Sequence, residues 1–181
     1  LLEGCSSYKL VGNLPYYAAN RILRHFLESQ CKPEKVVIMV QREVAQQMCA
    51  ADGSKSVLSV ATQLYGKPHI VRWVRPGSFS PPPKVNSAIV KIDVFEKPAA
   101  GVEDTSAFFK LVRAGFSAPR KQIRNSIAQG LGIDQYEVER LFAEAGMDFR
   151  RRAETLSISD WATCLLYTSA AADERSSVDL G

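Results

Sequence analysis

The stretch KVVIMV, Lys35 to Val40, sets five apolar residues in a row behind one lysine, and four of the five are β-branched. A run this short without polar alternation predicts a strand buried on both faces, and such a strand requires helices packed against its sheet. The flanks supply them. YKLVG (8–12) predicts a short strand ending at a glycine, and residues 18–29 then place Ile22, Leu23, Phe26 and Leu27 on one helical face. REVAQQMCAA (42–51) predicts the helix after the central run, which makes the order strand, helix, strand, helix. SVLSVATQLYG (56–66) predicts a further helix closed by glycine. HIVRWVRP (69–76) and VNSAIVKIDVF (85–95) predict two strands, an antiparallel edge joined by a proline-rich connection. The fold class is α/β.

KPAAGVED (97–104) breaks this pattern, and the residues beyond it are helical in periodicity. Asp104 or Thr105 can cap a helix running to about Phe116, and Pro119 can open a second. Asp134 with Glu137 has capping-box spacing for a third, and Ser157 can start a fourth at ISDWATCLL. The expected organisation is therefore a partial α/β domain over 1–97, a small all-helical domain over 98–165, and a polar tail over 166–181 outside the fold, disordered or foreign to the domain. The chain begins only a few residues before its first strand, and two parallel strands plus a hairpin make a poor core. The expectation is the second half of an α/β domain followed by its appendage.

Composition excludes several classes. With 46% hydrophobic and 23% charged residues the chain is not disordered throughout. No run approaches the length of a membrane span, and the first residues have neither a basic leader nor a small-residue cleavage site, so the expected compartment is the cytoplasm. Cys5, Cys31, Cys49 and Cys164 show no CxxC spacing and the only histidines are His25 and His69, which argues for reduced thiols and against a zinc site. The net charge of +4 is unevenly placed: residues 1–100 hold 13 basic and 7 acidic side chains, residues 101–181 hold 10 and 12. Within the second part the positives bunch at Arg120, Lys121 and Arg124 and at Arg150, Arg151 and Arg152. Each bunch reads as an anion-binding patch or as a solvated helix face.

The chemistry concentrates at Asn13-Leu14-Pro15-Tyr16, on the carboxyl end of the first strand, where open α/β sheets bind ligands. An exocyclic amine on a nucleobase is a poor nucleophile because its lone pair is delocalised into the ring, so alkylating it requires holding its N–H groups. The Asn13 side-chain carbonyl and the Pro15 backbone carbonyl can each accept one, aiming the nitrogen lone pair at an electrophilic methyl group, while Tyr16 offers a flat face for an extruded base. The alternative is an Asx-turn into a helix, with Tyr16 and Tyr17 as core cover.

Five segments together resemble the ribosomal RNA adenine dimethyltransferases, the KsgA-type family of the small subunit to which the Erm methylases are related. They are VGNLPYY (11–17), QREVAQQM (41–48), SFSPPPKVNSAIVKI (78–92), RKQIRNSI (120–127) and RAETLSISDW (152–161), and they cover residues 8 to about 163. NLPY followed at this distance by F-x-P-x-P-K-V is the most specific part, and the last two segments resemble the small-subunit enzymes more than the Erm branch. The resemblance implies the C-terminal half of a class I (Rossmann-like) methyltransferase domain plus a small helical domain. It implies S-adenosyl-L-methionine as co-substrate without a metal, and dimethylation of N6 on two adjacent adenines near the 3′ end of small-subunit rRNA. It further implies that Asn13 and Pro15 touch cofactor and target amine, that Tyr16 stacks on the base, and that Phe79 stacks from the other side or shapes its pocket, plain core being the alternative for Phe79, with Leu14 completing the loop. Lys84, Arg120, Lys121, Arg124, Arg150, Arg151 and Arg152 would contact RNA, with a monomer acting on the immature small subunit in the cytoplasm. Two other readings share the fold: a non-catalytic RNA-binding or transcription-factor relative, and an Erm-like large-subunit methylase; amine methylation of DNA or a small molecule uses the same loop chemistry.

One departure stands out. The family's glycine-rich cofactor loop is absent; Gly130-Leu131-Gly132 is the only GxG, comes after a helix and lacks the third glycine. The expectation is a fragment of the enzyme, inactive alone.

Overall fold

The computed structural model describes residues 7–15 and 18–178, with side chains described as far as residue 168. The chain divides into two compact units, one made of residues 1–50 and 58–99 and the other of residues 51–57 and 100–181.

The first unit is a four-stranded mixed sheet with helices. In chain order it contains β1 (Lys9–Asn13), α1 (Ala19–Glu28), β2 (Lys35–Gln41), α2 (Arg42–Met48), α3 (Val57–Tyr65), β3 (Gly66–Val74) and β4 (Ser87–Val94). The strand order is β1-β2-β4-β3, with β1 parallel to β2 and the other two pairings antiparallel. The expected antiparallel hairpin is present, but β4 sits inside the sheet and β3 alone forms that edge. The reason lies in the side chains: Ala88, Val90 and Ile92 of β4 stand opposite Val40, Ile38 and Val36 of β2, and all six are essentially inaccessible. These pairs carry the packing of the unit, since cross-strand contacts on a buried face are what stabilise a sheet.

The opposite face corrects the expectation of a central strand buried on both sides. Val37 and Met39 are only half-buried, their β4 partners are Lys91 and Ile89, and Val11 next to Val37 is 75% exposed. A continuous apolar run cannot by itself tell one covered face from two. Helix α1 buries Ala19, Leu23 and Leu27 as its apolar face, and Gln63 of α3 ties the end of α2 by donating to the carbonyls of Met48 and Ala50 at 3.1 and 2.8 Å.

The second unit contains α4 (Thr105–Gly115), α5 (Ile123–Leu131), α6 (Gln135–Glu144) and α7 (Ile158–Val178), joined by short turns. Its interior is built around Phe108, Ile123, Ile127, Leu156 and Trp161, all at or near zero exposure. Three of the helix starts obey their sequence signals. Asp104 accepts from the Ala107 N–H, Asp134 accepts from the Tyr136 N–H, and Ser157 with Asp160 exchanges two capping bonds.

The fourth does not: α5 begins at Ile123 and not at Pro119. No side chain caps it; instead its first N–H groups donate to the carbonyls of Arg151 and Phe149. A cap supplied by a chain segment about thirty residues away leaves no local sequence signal. Residues 51–57 also join this unit, through Gly53 and Lys55 N–H groups that both donate to the Glu154 carbonyl. The tail expected outside the fold from residue 166 continues α7 through Val178. Its alanines at 170–172 favour helix and no glycine or proline interrupts it before Gly181, so local propensity extends the helix without an apolar period.

Candidate active site and nucleic-acid interface

Asn13 is the last residue of β1, paired in register with Met39 of β2, and it is exposed at the carboxyl end of the only parallel strand pair among the described residues. Its amide makes no hydrogen bond to any described residue. Leu14 folds back over Gly12, whose position leaves only 3.1 Å between an added Cβ and the leucine Cδ2. Pro15 comes next, and its carbonyl accepts the Ala18 N–H at 2.9 Å, the turn that leads into α1. A carbonyl oxygen has two lone pairs, so this turn uses one acceptor site of Pro15 and leaves the other. Asn13, Leu14 and Pro15 include no titratable side chain. Such a loop can orient an N–H-bearing ligand through fixed acceptors but cannot itself take a proton. Tyr16 and Tyr17 lie outside the described residues.

The register places the other half of the candidate site at the same end of the sheet. Gln41 at the end of β2 pairs with Ser87 at the start of β4, and Ser87 pairs with Val74 at the end of β3. The 75–86 connection therefore emerges at the end of the sheet where Asn13 ends β1. Phe79 lies in it, half-buried, with its N–H bonded to the Pro76 carbonyl at 3.1 Å after a short 3₁₀ turn. Lys84 is exposed in the same loop.

The basic positions of the helical unit are not equivalent. Arg120 and Lys121 are exposed in the turn before α5. Arg124 is committed internally: its guanidinium pairs with Glu139 and lies 5.2 Å from the Phe149 ring centre. Arg151 is likewise engaged, with Asp160 at 3.0 Å and with Thr155. Arg150 and Arg152 are exposed; the first lies 5.7 Å from the Phe149 ring centre, the second 3.9 Å from Glu154. The six adjacent positions of the sequence thus separate into four exposed ones and two, Arg124 and Arg151, that close the unit. Sequence reasoning passed over Arg42, Trp73, Arg75 and Asn86 as a group, which the sheet gathers although they lie in three separate segments.

Gly130-Leu131-Gly132 is accounted for by packing. Gly132 adopts a left-handed φ of 70° and ends α5, and Gly130 sits where a Cβ would lie 2.5 Å from the Ala114 Cα. Among the described residues no cluster of His, Cys, Asp or Glu has the makings of a metal site, and no helix is long and apolar enough to cross a membrane.

A crystal structure of a dimethyladenosine transferase from Plasmodium falciparum superposes with a TM-score of 0.74 at 22% identity, over 90% of this chain and 67% of that one. The 23S rRNA methyltransferase ErmE superposes at 0.66 with 22% identity, over 90% and 66%. The fold is thus that of the α/β methyltransferases. Among sequences, the ribosomal RNA small subunit methyltransferase A of Dehalococcoides mccartyi is 47% identical over 162 residues, 89% of this chain and 56% of its own length. The protein of that name from Desulfitobacterium hafniense is 42% identical over 84% of this chain and 55% of its own, and that from Clostridium botulinum 40% over 89% and 59%. The chain thus spans little more than half the length of these relatives. The family model described as Ribosomal RNA adenine dimethylase matches residues 1–167, and with an asparagine-proline loop on the exit of its parallel strand the chain belongs to that family.

Proposed function

We propose that a protein carrying this chain across the full span of its relatives methylates N6 of two adjacent adenines near the 3′ end of small-subunit rRNA. The observation that carries the reading is the Asn13 amide, which has no hydrogen-bond partner among the described residues, two positions before the remaining Pro15 lone pair, two acceptors on one strand exit with no acid or base between them. That acceptor set fits an amine that must be oriented and not deprotonated beforehand. S-adenosylmethionine supplies the electrophilic methyl group when bound, and Asn13 with Pro15 are this chain's contacts to it. Asn13 and Pro15 accept the two N6 hydrogens, and Tyr16 and Phe79 enclose the base between aromatic faces. Lys84 neutralises a phosphate beside that pocket.

The helical domain, 98–165, serves as the rRNA-binding element, with Arg120, Lys121, Arg150 and Arg152 as its phosphate contacts. Arg124 and Arg151 hold that domain together, which leaves their contribution to RNA indirect. The protein acts as a monomer in the cytoplasm on the immature small subunit. The identity to proteins named for the small subunit, at 40–48%, favours this target over the large-subunit alternative.

The test is incubation of small subunits lacking the modification with S-adenosylmethionine and such a protein, then mass spectrometry of nuclease fragments. N6,N6-dimethyladenosine at two adjacent positions near the rRNA 3′ end is expected. Modification confined to large-subunit rRNA, or none on either subunit, overturns the reading.

A further inference from the structure

Strand β3 contains a bulge between Ile70 and Arg72: Ile70 pairs with Val90, but Arg72 pairs with Ile89 and Trp73 with Ala88. Without that extra residue Trp73 would share a face with Val71 and His69. With it, Trp73 stands beside Ala88 and Val90, on the other side of the sheet. There its ring meets Arg42, the first residue of α2, whose guanidinium carbon lies 5.5 Å from the indole centre. The Arg42 N–H donates to the Asn86 carbonyl at 2.9 Å, which fixes the helix start against the 75–86 connection. Arg42, Trp73, Val74, Arg75 and Asn86 line an open cleft of about 260 Å³.

Its chemistry is specific. Trp73 is 48% exposed, although an indole at a strand end has ample apolar surface to bury elsewhere. Arg42 lies over its ring and Arg75 lines the same cleft, the cleft lining holds no carboxylate, and neither arginine is ion-paired to any described residue. A half-exposed indole with one arginine on its ring, a second arginine in the same cleft and an amide at the rim complements a base and its phosphate, the elements by which single-stranded nucleic acid is held without sequence readout. The cleft opens at the same end of the sheet as Asn13 but on the opposite edge strand, and the strand order puts three strand spacings, about 14 Å, between them.

We infer that this cleft is a second nucleotide subsite, in which Trp73 stacks an unpaired base a few nucleotides from the target adenine while Arg42 and Arg75 take its phosphate. The inference rests on the proposed function for the word "target", but the binding it asserts does not require methylation. The subsite holds the strand on one side of the extruded base, so that this part of the strand stays unpaired while the target base is flipped.

The experiment uses the 181-residue chain and a short fluorescein-labelled oligoadenylate, read by anisotropy and by tryptophan emission. The only other tryptophan, Trp161, is fully buried in the helical unit and serves as an internal reference. Saturable binding with quenched emission is expected, with the quenching lost in W73F, which shows that the quenched indole is Trp73. Affinity should fall about 5- to 100-fold in W73A and within about 3-fold in W73F, which keeps an aromatic face. R42Q with R75Q should lower the slope of log affinity against log salt by about 0.7, the value for one phosphate contact on a single strand. No binding by the parent chain, or a W73A affinity within about two-fold of it while W73A retains the parent's circular dichroism, overturns the subsite. A W73A variant that loses this signal is replaced by W73L under the same criterion. Failure of methylation with these binding results intact would overturn the proposed function and leave the subsite standing.

Discussion

Ser157 and Asp160 cap helix α7 by mutual exchange: the Ser157 N–H donates to Asp160 Oδ2 at 2.9 Å and the Asp160 N–H donates to Ser157 Oγ at 3.0 Å. Arg151 closes the arrangement from the other side, 3.0 Å from the same carboxylate oxygen. Burial on its own would raise the Asp160 pKa, but the Ser157 hydrogen bonds and the Arg151 charge together hold it below the usual carboxylate value. A depressed native pKa means that the ionised form contributes stability at neutral pH, and that this is lost as the pH falls through the native value, below about 4. Asp160→Asn is expected to cost about 1 kcal/mol at about pH 7 and to shrink the further loss between about pH 4 and pH 2. Urea unfolding of parent and variant at several pH values checks this; parallel stability–pH curves would contradict it.

Asn13→Ala removes one of the two acceptors proposed for the target amine. In a protein of the relatives' full span, a lost transition-state contact of about 3–4 kcal/mol lowers the single-turnover rate roughly 10²- to 10³-fold, with RNA affinity changed far less. Quenched-flow methylation beside filter binding separates the two. A rate within a few-fold of the parent would remove Asn13 from the chemistry.

The basic cluster before α5 should split by role. Arg120→Gln with Lys121→Gln deletes two exposed charges and is expected to reduce the salt slope of subunit binding by about 1.5–2 while leaving stability unchanged. Arg124→Gln strips Glu139 and Phe149 of their shared partner and is expected to cost about 1–2 kcal/mol of stability with a smaller change in slope. Thermal unfolding and a binding salt series on the same variants test both halves. Equal behaviour of the three positions would return Arg124 to the RNA-facing set.

Gly130→Ala forces a methyl group to within 2.5 Å of the Ala114 backbone, where no side-chain rotation can relieve it. The expected loss is about 2–3 kcal/mol or more, as for other overpacked contacts. Gly77→Ala meets nothing within 4 Å and should be near neutral. Chemical denaturation of the pair decides whether helices α4 and α5 depend on this close approach.

What the linear chain determined was local. Apolar runs and helical periods named the elements nearly in place, the capping signals at Asp104, Asp134 and Ser157 started three helices where they read, and Asn13 could be assigned to a strand exit because the apolar run stops there. Tertiary structure decided what depends on residues distant in sequence. Insertion of β4 between β2 and β3 came from matching apolar faces across strands, which no single segment displays. The commitment of Arg124 and Arg151 to Glu139 and Asp160 turned one member of each charge cluster inward, and the N-terminus of α5 took its cap from the carbonyls of Phe149 and Arg151. The bulge in β3 moved Trp73 to the opposite face by one residue of register, because side chains alternate with a period of two and a pattern read along one strand cannot reveal where its partner slips.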